Sequence, residues 1–500
     1  MDRLSSVIEP IKRLFALDLR SLACLRIGLG LLILIDLLLR SRDLVAFYTD
    51  QGLLPRSLLT TSPNALTHWS LHLVNGAPWF QALLFCVAGI AAGMLVAGYR
   101  TTWAATISWV LLASLHLRNP LILNAGDKYL ALLTFWGIFL PWGAKWSVDA
   151  KKRANDDATT VISLASFALY LQVALVYVST ALLKWQHSVW QTGDAIQLAL
   201  SKDYIVTSWG QWLAEHPEWI KPLTPATLYL ELLSPVAILL SKGWWRVAVL
   251  VVLALFHVAL AACFTIGLFP YVCLVAYTAF LPGKFWAAVL KDSARSETKL
   301  YQPPRTHVVL RGCKQTFLAL AILVSLWSCV SVVSPSWRMP EVVRNLERVF
   351  RWRQSWKMFT NIHEAVDGWF VFHAQFADGH SEDLLSGASP VSYEKPSLAS
   401  AMFPNMRWRK LCTNLKSPGA KTVREFLGDY LLLDRDRRHH DVHKLIGLEI
   451  VCVEPAKAAI GENVIEVLGA TFATPQPLDK EVLFEWHNEA RKYHDVFIRE

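Results

Sequence analysis

The chain has 500 residues, of which 54% are hydrophobic and 18% charged, with a formal net charge of +9. A soluble protein carries about 25% charged residues, so this deficit, together with a mean hydropathy of +0.33, excludes an all-soluble chain. The basic balance does not mark a nucleic-acid partner: the Lys and Arg of the first two thirds sit mainly in short segments between apolar runs, as the positive-inside rule requires. None of the eight cysteines forms a CxxC pair, which removes the usual zinc and dithiol motifs.

A bilayer-spanning helix needs about 20 apolar residues. Runs of that kind lie at 22–39, 80–97, 103–117, 129–142, 161–183, 226–240, 245–262, 265–281 and 315–334. They predict an α-helical polytopic bundle of about nine transmembrane helices over residues 1–335. The runs 129–142 and 226–240 are short, and are either extended by their flanks or half-buried inside the bundle. The start carries Arg3, Lys12, Arg13 and Arg20 but no small-residue cleavage site, so it does not read as a cleaved signal peptide. Trp79, Trp103, Trp142, Trp146, Trp244, Trp245 and Trp337 flank runs where an aromatic belt would lie.

Basic residues set the expected orientation. With the N-terminus in the cytoplasm of a cell whose inner membrane holds the bundle, the inner loops collect Lys145, Lys151, Lys152, Lys242, Arg246, Lys284 and the basic residues from Lys291 to Lys314. Nine spans then leave residues 336–500 outside, in the periplasm or an equivalent extracytoplasmic space. That part predicts an α+β extramembrane domain. Trp369–Phe376 and Leu445–Val453 alternate like strands, Asp378-Gly379 reads as a turn, and a helical stretch runs from Val423 to Leu432. Cys412 and Cys452 would pair as a disulfide or remain thiols there. His439, His440 and His443 read as a solvated patch rather than a metal site.

Ionisable groups inside membrane spans are costly and mark functional sites by default. Arg26, Asp36, Glu231 and His257 lie within spans, and His116, Asp127 and Lys184 at span ends. At the helical rise, Asp36 lies about 21 Å along its span and His257 about 18 Å along the seventh. All but Arg26 fall between mid-membrane and the outer face. Arg26 stands near the inner side, where a helix C-terminus or a loop carboxylate would be its partner. Lys184 has two readings: a base made reactive by its half-dry site, or an anchor snorkelling to the interface.

The stretch from Tyr177 through Lys184-Trp185 to Trp190 and Gly193 resembles a motif of the vitamin K-dependent γ-carboxylase family, whose bacterial members are HTTM-domain proteins. Similar segments are Leu25-Arg26-Ile-Gly28-Leu-Gly30, Phe47 to Pro55, Leu230-Glu231 to Pro235, Phe256-His257, Phe264 to Tyr271 and Gln354 to Phe359. The resemblance covers about residues 20–360. It implies a catalytic base at Lys184 that deprotonates a reduced, vitamin K-like quinone, with His257, Asp127 and Glu231 as catalytic partners. Asp36, Trp190, Gly193 and Phe264 are the implied cofactor-binding residues; no metal is implied. The implied activity is that of a quinone-epoxidising, γ-carboxylase-like lyase acting on a peptide or protein substrate. Departures from the family pattern are Gly126-Asp127 where animal carboxylases carry Asn-His, and Val258 to Ala261 where polar residues follow the carboxylase histidine. Two further readings therefore stand beside the enzyme: a non-enzymatic membrane protein binding a lipid, peptide or partner protein, and polar groups that only fix helix packing.

Overall fold

The computed structural model describes residues 10–60, 69–152, 157–291, 299–303, 307–360, 362, 368–438, 445–455 and 478–487. The His439, His440 and His443 patch lies outside them.

Each predicted run contains a helix: α1 (Leu19–Ser41), α2 (Pro78–Ala97), α3 (Thr101–Arg118), α4 (Ala125–Gly137), α5 (Leu164–Trp185), α6 (Pro217–Leu240), α7 (Gly243–Cys263), α8 (Phe269–Thr278), followed by α9 (Gly283–Val289), and α10 (Val308–Val333). The structure does not confirm the exact count of nine spans. Among the described residues, α1, α2, α5, α6, α7 and α10 are long and apolar enough to cross a membrane, and α8 with α9 makes a seventh only if that pair, bent by 88°, is one span. The reason is length and composition. The 13 residues of α4 rise only about 20 Å, against an apolar bilayer core of about 30 Å. An Asn124–Asp127 capping box fixes its start, and Gly137 packs directly on the Trp142 ring at its end. Tyr129 to Gly137 is buried throughout, so α4 is wrapped by other helices rather than by lipid.

Arg26 has the helix C-terminus as its partner. Its guanidinium donates to the carbonyls of Leu95 and Val96 at the end of α2, each at 2.6 Å, and to those of Trp142 and Trp146. Those carbonyls are the orphan acceptors of a helix end, and a cation there also meets the negative pole of the helix dipole. Gly98 makes the approach possible: it has φ +66°, and a Cβ there would stand 2.7 Å from Arg26 Nη1.

The C-terminal region is a four-stranded antiparallel sheet, β1 (Trp369–Phe376), β2 (Ser381–Asp383), β3 (Leu445–Pro455) and β4 (Leu478–His487), in the order β2-β1-β3-β4. Two helices, α11 (Met406–Leu415) and α12 (Lys421–Arg438), accompany it. Strand alternation separates the two faces. Phe370, Phe372, Leu448 and Ile450 join the core that contains Leu411 and Leu427, while Trp369, Val371, Val451 and Val453 form a smaller cluster on the other face. No disulfide joins Cys412 to Cys452: both are buried, and Cys452 lies in β3 opposite Phe370.

Residues after α10 return into the bundle. Gln354 and Gln172 of α5 exchange amide hydrogen bonds at 2.9 and 3.0 Å. Trp136 and Trp356 donate their indole N–H groups to the same two amide oxygens. Trp356 is fully buried. Within the stretch read as the extramembrane domain, Gln354 and Trp356 are thus a plug in the helical core.

Candidate functional site

Apart from Arg26, the structure sorts the predicted polar residues into two centres at one end of the bundle, the end on which Met358, Phe359 and α11 pack.

The first centre borders a cavity of about 950 Å³, lined from α5, α6 and α7 and closed by Met358, Phe359 and α11. Lys184, in the last turn of α5, donates to Glu231 Oε1 of α6 at 2.6 Å. The two side chains are 3% and 8% exposed, so this is a buried ion pair in an apolar wall. Its geometry is incomplete: Glu231 Oε2 is buried and has no hydrogen-bond partner. The helix is locally irregular there. Pro235 has no N–H to give the Glu231 carbonyl four residues back, and the Ser234 hydroxyl reaches that carbonyl at 3.3 Å instead.

Trp190 closes one side of the pair, with its ring centroid 4.4 Å from Lys184 Nζ, a cation–π distance. Its indole N–H donates to the Phe359 carbonyl at 3.0 Å, which fixes the ring. Phe264 stands against Phe359, centroids 5.0 Å apart, and lines the cavity. His257 lines it too. Its Nδ1 lies 3.0 Å from both the Leu253 carbonyl and the Tyr277 hydroxyl, and Tyr277 is hydrogen-bonded in turn to Tyr177. Of the residues predicted for a quinone site, Lys184, Glu231, His257, Trp190 and Phe264 therefore share one cavity. Gly193 is not in its wall. With φ +96° it ends the short helix Ser188–Thr192, a left-handed position that only glycine occupies without strain.

Asp36 and Asp127 are placed elsewhere, and this corrects the single-site expectation. They form the second centre, with Arg40 and Arg407. Arg40 donates to Asp36 Oδ2 at 2.7 Å, to Asp127 Oδ1 at 2.6 Å and to the Tyr48 hydroxyl at 2.7 Å. Arg407, from α11, donates to Asp36 Oδ1 at 2.5 Å and Asp127 Oδ1 at 3.2 Å. The Asn124 N–H adds a bond to Asp127 Oδ2 at 2.7 Å. Neither aspartate lines the cavity. The physical reason is charge: two carboxylates in a dry interior require two cations, and the guanidiniums of α1 and α11 supply them. Burial and the neighbouring Arg40 work against the Arg407 cation, yet Asp127 and Asp36 hold its pKa above the ordinary arginine value.

Asp36, Asp127 and His116 offer ligand atoms within 4.8 Å of one another, the geometry of a three-ligand metal site among the described residues. Both carboxylates are already engaged by guanidiniums, which repel a cation. His116 is fully buried, and both its ring nitrogens lack a hydrogen-bond partner among the described residues.

Sequence reasoning missed Arg40, Arg407, Arg409 and Lys410. Arg40 was countable, since it follows Asp36 by four residues on one helix face. The run Arg407-Trp-Arg409-Lys410 lay in a region read as soluble, where basic residues need no special explanation.

No curated protein and no solved structure matches the chain. The chain does match a family model, that of the HTTM domain, over residues 16–285. That stretch covers more than half of the 500 residues and includes Lys184, Glu231, His257 and both aspartates: the chain is an integral membrane protein of the HTTM-domain family.

Proposed function

We propose that the protein is a membrane oxygenase or carboxylase that uses a reduced quinone, with Lys184 as the base. The observation that carries this reading is the buried Lys184–Glu231 pair facing an apolar cavity, with one carboxylate oxygen left unpartnered. In a dry wall, desolvation penalises an ammonium–carboxylate pair, and the open side of Glu231 leaves this one incompletely compensated. As the amine, Lys184 accepts a phenolic proton, and the ammonium so formed keeps its hydrogen bond to Glu231 Oε1 while the phenolate forms beside it. Trp190, Phe264 and Phe359 supply flat apolar surfaces suited to an aromatic ring. His257, backed by Tyr277 and Tyr177, presents a second polar group to the cavity. With oxygen as the oxidant, one hydroquinone and one O2 give one epoxidised quinone and one water. The resemblance to the γ-carboxylases supports the same assignment.

The same reading places the protein in the inner membrane, N-terminus inside and C-terminal domain outside. Chain direction supports it. Residues 17–18 pair with 160–161, residue 159 meets 299, Ser21 meets Leu281, and Arg26 meets 95–96 and 142–146, so these positions share one end. Residues 40, 127, 184 and 407 gather at the other. The basic segments Lys145–Lys152 and Lys242–Arg246 adjoin the first end, as the positive-inside rule expects.

The test is hydroquinone consumption by the protein in lipid nanodiscs under oxygen. Wild type is expected to form epoxidised quinone and Lys184→Ala to lose at least about a hundredfold in rate, the usual scale for a general base. Turnover unchanged in Lys184→Ala, or equal under argon, contradicts the reading.

A further inference from the structure

The cavity has a charge pattern that hydroquinone chemistry does not use. Five cations line it, Lys184, Lys202, Lys357, Arg409 and Lys410, against one acid, Glu231. Glu231 is engaged with Lys184, so no second acid of the lining stands against Lys357, Arg409 and Lys410. Arg409 and Lys410 arrive together on α11, from the region that closes the cavity. Arg409 is 8% exposed, and it donates to neutral oxygens, the Thr265 hydroxyl and the Tyr204 carbonyl. Burial brings its pKa down to about 10, and burial beside Arg409 lowers that of Lys410. These cations are held at a cost that an anion would relieve.

Below them the wall is apolar: Val176, Leu183, Leu260, Phe264 and Phe269. One wall residue, Leu223 of α6, is 43% exposed, so the cavity wall reaches the apolar outer surface of the bundle. A cationic mouth above an apolar chamber, with a side that meets lipid, fits a molecule with the same division.

We propose that the cavity binds an amphiphile drawn from the bilayer, its anionic head, carboxylate or phosphate, held by Arg409 and Lys410 and its apolar tail between α5, α6 and α7. Arg407 serves this site as a positioning residue. It anchors α11 to Asp36 and Asp127, and so sets the height at which Arg409 and Lys410 meet the head. This inference goes beyond the hydroquinone reading and requires no turnover.

Equilibrium binding to the full chain in phosphatidylcholine nanodiscs tests it, without quinone or oxygen, using oleate, oleoyl lysophosphatidate, oleyl alcohol and inorganic phosphate as probes. At least one of the two anionic amphiphiles is expected to bind about tenfold or more tighter than oleyl alcohol, the scale of one charge-assisted contact. Arg409→Gln with Lys410→Gln is expected to remove that preference, whereas Arg409→Lys with Lys410→Arg retains it, which separates charge from folding. Lys242→Gln, at the opposite end, leaves it unchanged. Whichever anion binds tighter identifies the head. Equal binding of oleyl alcohol, saturation by inorganic phosphate as tight as by either amphiphile, or an undiminished preference in the neutral double variant overturns the proposal. Failure here leaves the hydroquinone assay untouched, and failure of that assay leaves this one readable.

Discussion

The two polar centres sit at the same end of the bundle and differ in one property, saturation. Around Asp36 and Asp127, two carboxylates meet two guanidiniums, a tyrosine hydroxyl and a backbone N–H, and neither aspartate lines the large cavity. Around Lys184 and Glu231, one cation meets one carboxylate whose second oxygen has no partner, and the pair faces about 950 Å³ of space. Both are buried ions in a membrane helix bundle, so burial alone does not mark function. The closed network joins two parts of the chain; the open pair leaves room for a ligand to complete it.

The sharpest way to break this contrast is by deletion. Asp127→Ala leaves Arg40 and Arg407 sharing a single buried carboxylate and is expected to cost about 3–5 kcal/mol, read as a large loss of thermal stability in nanodiscs. Arg407→Met should come close to it, since it strips a cation from the same carboxylates. Glu231→Gln is expected to cost less, about 1.5–3 kcal/mol for the lost charge-assisted bond, because the cavity lets solvent or ligand reach Lys184. A Glu231→Gln variant less stable than Asp127→Ala would abolish the distinction between the centres.

The smallest effect lies at the opposite end. Asp149 accepts from the N–H groups of Arg100 and Thr101 and from the Thr101 hydroxyl, capping α3. Asp149→Ala is expected to cost about 1 kcal/mol, the usual value of a cap. Burial pushes its carboxyl pKa up, but those hydrogen bonds outweigh it and hold the group below the ordinary 3.8. A depressed folded-state pKa means the stabilisation is complete above about 3.8 and disappears as pH falls through the folded value. Wild type and Asp149→Ala should therefore converge in stability only in strong acid.

The helices were legible because apolar runs dictate them, and the strands Trp369–Phe376 and Leu445–Pro455 because alternation does. For Arg26 the helix end was one of the two partners read, since a lone cation in a span needs oxygen atoms and a helix end has spare ones. What the sequence hid was assembly. Depth along a helix gives height but not azimuth, so Asp36, Asp127, Lys184 and His257 read as one cluster when they are two. The counter-charge Arg407 comes from about 280 residues beyond Asp127, and nothing local to either residue announces the pairing. Span number stays unconfirmed for a related reason: α4 is apolar and buried from Tyr129 to Gly137, and a hydropathy run does not tell protein from lipid.

The most direct test of the contrast is carboxyl labelling with a hydrophobic carbodiimide in nanodiscs, read by peptide mass spectrometry. The account predicts modification at Glu231, faster in Lys184→Met, where its counter-charge is gone, and none at Asp36 or Asp127 while Arg40 and Arg407 hold them. Labelling of Asp127 at the rate of Glu231, or a Glu231 that stays unmodified in Lys184→Met, would contradict the division into one closed and one open centre.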